Sequence, residues 1–77
     1  MNKERRGRIE KLHAKIEELM EDLDSIREEE QGAYDNMPES LQESERGNQS
    51  YEAIEQLESA ISSLEESMDC LRSAIET

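Results

Sequence analysis

The sequence predicts an all-α fold, an antiparallel two-helix hairpin of coiled-coil type, on three observations. Apolar residues recur at alternating intervals of three and four in both halves of the chain, turn-forming residues cluster between the halves, and charge is segregated along the sequence. Alternating threes and fours place one side chain of each pair on the same stripe of a helix, the pattern of a heptad seam. Seventy-seven residues allow one domain, near the size at which a single core is barely sufficient. With two Tyr and no Phe or Trp, that core must be built from Leu, Ile, Met and Ala.

The first seam runs through Ile9, Leu12, Ile16, Leu19, Leu23 and Ile26. With Ile9 as position a of the heptad abcdefg, Ile9, Ile16 and Leu23 occupy a, and Leu12, Leu19 and Ile26 occupy d. Glu30 then takes an a site before Ala33, Tyr34 and Met37 resume the stripe, so the first helix is expected over about residues 3–36. Gly32 weakens it locally by about 1 kcal/mol relative to Ala. The second seam is Ile54, Leu57, Ile61, Leu64, Met68, Leu71 and Ile75, in a helix expected over about 44–76.

Between them lies a turn expected over about 37–43. Pro38 has no N–H and disfavours helical backbone at Met37, but it suits the first turn of a new helix. Ser40 and Glu43 have capping-box spacing, Ser44 is a second candidate cap, and Gly47 suggests a loose or bent helix start. A short link favours antiparallel neighbours. The charge pattern agrees: residues 1–15 hold six basic groups against two acidic ones, whereas the rest of the chain holds three against nineteen. Basic groups oppose the dipole at their own helix start, and the hairpin sets Arg5, Arg6 and Arg8 beside the end of the second helix, near Glu66, Asp69 and Glu76.

A two-helix hairpin leaves one side of each seam in water, which predicts a homodimer forming a four-helix bundle. The residue before each a site of the second helix is Ala53, Ala60, Ser67 or Ala74. Small side chains at g let another helix approach closely, so the expected oligomer interface is Ala53, Ile54, Ala60, Ile61, Ser67, Met68 and Ala74.

Net charge is −12, a poor basis for binding nucleic acid or an anionic membrane directly. Cys70 alone cannot form an intrachain disulfide, and no apolar run reaches ten residues; the expected location is the cytoplasm of its cell, which the resemblance given below makes a bacterial host. No catalytic, cofactor-binding or metal-binding residue is expected. Glu10 and His13 have the E-x-x-H spacing of di-metal bundles, with Glu17 one turn on, but they sit at b and e and read as a solvated charged face. Cys70, at c, has no His within helical reach and reads as a passive thiol. The basic run KERRGR reads as a partner for the acidic helix end.

The acidic surface holds the recognition potential. Glu17, Glu21, Asp24 and Glu28 form a row at intervals of one helical turn, a spacing that can imitate a phosphate track, so a nucleic-acid mimic is one reading. The loop offers Asp35, Asn36 and Glu39 as a second recognition surface. The segment YDNMPESLQESERG, between an acidic run and an Ala/Ile/Leu/Glu helix, resembles that of small uncharacterised acidic helical proteins of bacterial phages and prophages. The likeness covers roughly residues 28–76 and is most particular at Asp35, Asn36, Pro38, Glu39, Leu41, Gln42, Ser44, Glu45 and Arg46. It implies an accessory factor that binds a host protein, such as an inhibitor of a defence system. The alternative expectation is a coiled-coil scaffold with no inhibitory target.

Overall fold

The computed structural model describes all of residues 1–77. Three helices follow in order: α1 from Lys3 to Asp35, the single turn α2 from Glu39 to Gln42, and α3 from Glu45 to Glu76. Helices α1 and α3 pack against each other as an antiparallel hairpin, a rod measuring 58 × 15 × 12 Å. The connection, where the sequence predicts a turn over about 37–43, contains the single helical turn α2. Its prolyl φ of −58° leads into the helical turn α2, with Pro38 at the N-cap position rather than inside the turn.

Each long helix begins at a side-chain cap. Asn2 Oδ1 accepts from the Arg5 amide at 2.9 Å, satisfying one of the amides that a helix start leaves unpaired. At α3 the cap is Ser44, whose hydroxyl accepts from the Gly47 amide at 3.4 Å and donates to the Leu41 carbonyl. Pro38 takes the N-cap place before α2 without a side-chain bond, so the Ser40–Glu43 spacing does not form the expected capping box. Asn36 closes α1 by donating its amide to the Gly32 carbonyl, and Gln42 Nε2 ties the connection to the Tyr34 carbonyl at 2.9 Å.

Helix α3 presents its seam as expected. Ile54 is the most buried apolar residue, at 3% exposure, and Leu57, Ile61, Leu64, Met68, Leu71 and Ile75 are half-buried. Gly47 and Ser50 extend the same stripe by one heptad and are buried too. On α1 the packing stripe departs from the a and d columns. Ile9, Ile16 and Leu23 at a are half-buried, but their companions are Arg6, His13, Met20, Arg27 and Tyr34 at e. Leu12, Leu19 and Ile26 at d remain 51%, 55% and 51% exposed. The apolar band of α1 is wider than one neighbouring helix can cover, so its d edge is left out.

At Gly47 the loose start expected from the sequence is not seen, because α3 is continuous helix from Glu45 onward. A Cβ at this position would collide with the backbone carbonyls of Leu41 and Gln42, so the missing side chain lets α2 sit directly on the first turn of α3. Gly32, by contrast, faces open space. Gly47→Ala is therefore expected to destabilise the fold by about 1–3 kcal/mol through overpacking, despite the better helix propensity of Ala. Gly32→Ala should gain up to about 1 kcal/mol. Urea titrations followed by circular dichroism at one fixed protein concentration test the opposite signs; equal effects would contradict this packing.

Candidate functional site

The two grooves along the helix pair have different chemistry. On one side, Glu17, Glu21 and Asp24 of α1 stand opposite Glu65 and Asp69 of α3, over a floor formed by Met20, Ile61 and Met68. His13 and Arg72 close one end of this groove. The residue columns explain its acidity: b and f of α1 and b and e of α3 fall on the same side once the helices pack through their seams. Three of the four residues in the acidic row predicted from the sequence thus converge with acids from the other helix.

Glu28 does not line that groove. Its carboxylate lies 3.8 Å from Arg27 Nη2, while Asp24 receives Arg27 Nε at 3.0 Å. Arg27 therefore partly neutralises one end of the row, a feature that the acidic spacing alone did not reveal. Asp35, Asn36 and Glu39 are exposed at the closed end of the hairpin and do not join the groove. There Asp35 accepts from Gln31 Nε2 at 3.0 Å. Tyr34, Met37 and Leu41 are half-buried, and the Tyr34 and Tyr51 rings meet at 6.0 Å with their planes tilted by 53°.

The opposite groove is apolar and small-sided. Leu12, Ile16 and Leu19 of α1 and Leu71 of α3 meet Ser63, Ser67 and Cys70 there, and Lys15 and Glu66 line it as well. Along α3 this side carries Ala53, Ala60 and Ser67 at g, all exposed, with Ala74 half-buried. Of the expected interface residues, Ile54, Ile61 and Met68 serve the packing of the hairpin itself, and the g column remains available beside the uncovered d column of α1.

The basic start of α1 forms no ion pairs with Glu66, Asp69 or Glu76. The interhelical pair instead has the reverse sense, Arg72 of α3 with Glu10 of α1 at 4.0 Å. Arg5 and Arg8 fall at d and g, which turn away from α3, while Glu66, Asp69 and Glu76 lie at f and b, outside the seam. Arg6, at e, does face α3, and its shielded Nε has no hydrogen-bond partner. Glu10 is thus part of an exposed ion pair, whereas His13 is half-buried at the groove end rather than lying on a solvated face. No group of three or more His, Cys, Asp or Glu side chains is arranged to hold a metal ion, and Cys70 is an exposed free thiol. No helix is long and apolar enough to cross a membrane.

No family model matches the chain, and neither the curated proteins nor the solved structures contain a significant match. The side-chain geometry therefore carries the functional reading. One interaction the sequence did not signal is the Ser50 hydroxyl donating to Glu30 Oε1 at 2.6 Å, which joins a buried d site of α3 to an acidic a site of α1. Ser50→Ala leaves that carboxylate without its partner and is expected to cost about 1–3 kcal/mol. Arg72→Ala, which removes a half-exposed ion pair, should cost less than about 1 kcal/mol. Chemical denaturation of the two variants tests that ranking.

Proposed function

We propose that this chain is a non-enzymatic, homodimeric protein-binding accessory factor, which inhibits or adapts a host protein through its acidic helical face. The loop's resemblance adds a phage origin to the proposal. The observation that carries the reading is the division of one narrow rod into a groove walled by five carboxylates and an opposite groove in which Glu66 is the one acid. Uniform solubilising charge would not divide the acids so unevenly between the two grooves. Carboxylates above a floor of Met20, Ile61 and Met68 suit a partner segment that combines Lys or Arg with apolar side chains. Methionine side chains adapt their shape to such a segment, while the acids speed its approach and set its orientation.

Dimerisation is supported by the d column. Leu12, Leu19 and Ile26 keep about half of their surface in water and lie beside the small-residue column Ala53, Ala60 and Ser67. A second hairpin covers both columns at once and completes a four-helix bundle. The acidic groove remains outward, free for the partner.

The decisive variant reverses Glu17, Glu21, Asp24 and Glu28 to Lys. Affinity capture from bacterial host lysate with wild-type and reversed protein, read by quantitative mass spectrometry, is expected to show a partner retained by the first and lost by the second. Sedimentation should find both proteins folded and equally dimeric. Binding should also weaken as salt rises, because the charges lie at the surface. Full partner binding and activity after reversal would leave the scaffold reading in place of this one.

A further inference from the structure

The uncovered side of the hairpin carries a symmetry in its sequence that specifies how a second copy docks. Leu12, Leu19 and Ile26 are spaced evenly about residue 19, the midpoint of α1 between Lys3 and Asp35. Next to them, the g column of α1 reads Arg8, Lys15, Asp22 and Glu29, with two cations before the midpoint and two anions after it. None of these four side chains forms an ion pair within the chain. On α3 the g and c columns of this side are uncharged over four heptads, with Ala53, Ala60, Ser67 and Ala74 at g and Gln49, Gln56, Ser63 and Cys70 at c, and Glu66 at f is the one acid that lines the groove. Nineteen of the chain's acids lie beyond residue 15, yet none falls in either of these α3 columns.

We infer that the occupant of this face is a second copy of the chain, docked antiparallel about a twofold axis that passes beside Leu19. An isologous contact requires every residue pairing to occur twice in exchanged roles. Rotation about Leu19 does this: Leu19 meets its own copy, and Leu12 meets Ile26 of the second copy. It also places Arg8 opposite Glu29 and Lys15 opposite Asp22, giving four ion pairs in the dimer. A parallel arrangement would set Arg8 on Arg8 and Glu29 on Glu29, which like-charge repulsion disfavours. Leu19 and Ser63 line the same groove, so the axis also crosses α3 between Ala60 and Ser63. There the two α3 helices meet through small uncharged side chains, which allow close backbone approach.

This arrangement rests on the dimer proposed above and is tested so that the two can fail separately. Single cysteines are introduced into a Cys70→Ser background, all at exposed positions that the hairpin does not use, and the proteins are oxidised at low micromolar concentration. Leu19→Cys should crosslink to a covalent dimer nearly completely. Leu12→Cys and Ile26→Cys should each remain largely uncrosslinked, while the Leu12→Cys/Ile26→Cys double variant crosslinks. Lys15→Glu should weaken the dimer on the order of tenfold, and Lys15→Glu/Asp22→Lys should restore it, as read by sedimentation. Self-crosslinking of Leu12→Cys alone, or failure of the charge swap to restore association, would overturn the antiparallel arrangement while leaving a dimer. A wild-type chain that sediments as a folded monomer at the same concentration would overturn the dimer itself.

Discussion

The seating of α3's continuous a/d stripe against the a and e columns of α1 is the contact on which everything else depends. It buries Ile54 and partly covers the rest of the α3 seam together with Ile9, Ile16, Met20 and Leu23 of α1. Because burial of apolar surface is the main favourable term in folding, this line of contact sets the rotation of each helix about its own axis. That rotation determines which columns become grooves. Acids at b and f of α1 and at b and e of α3 are carried to one side, and the small and neutral columns of α3 to the other.

Substituting e for d on α1 has structural consequences. Met20 and Tyr34 bring apolar surface to the contact, and Arg27 lays its stem there while its guanidinium reaches Asp24 and Glu28. A helix carrying apolar residues at a, d and part of e has a band too broad for one antiparallel neighbour. The rod therefore satisfies one edge of the band internally and leaves three large aliphatic side chains on the other. Those residues are the strongest physical reason to treat the hairpin as half of an assembly.

The closed end of the rod is more specifically built than its shaft. Gly47 admits the carbonyls of Leu41 and Gln42, Ser44 caps α3, Gln42 holds the Tyr34 carbonyl, and Ser50 bonds Glu30. These interactions account for much of the YDNMPESLQESERG pattern as the joinery of a tight corner. Asp35, Asn36 and Glu39 lie on its outer surface, away from the acidic groove.

Heptad spacing by itself signalled the two long helices, which run over Lys3–Asp35 and Glu45–Glu76. The α3 seam and the acidic row were equally legible, since both depend only on residues three and four apart on one helix. Only the tertiary structure decided that α1 turns its e column inward, that Gly47 is a packing site, and that Arg72 rather than Arg5 or Arg8 makes the interhelical ion pair. Those outcomes depend on how far each helix rotates and how closely two backbones approach. Spacing along one chain contains neither quantity, because both are set by the joint packing of side chains from two helices.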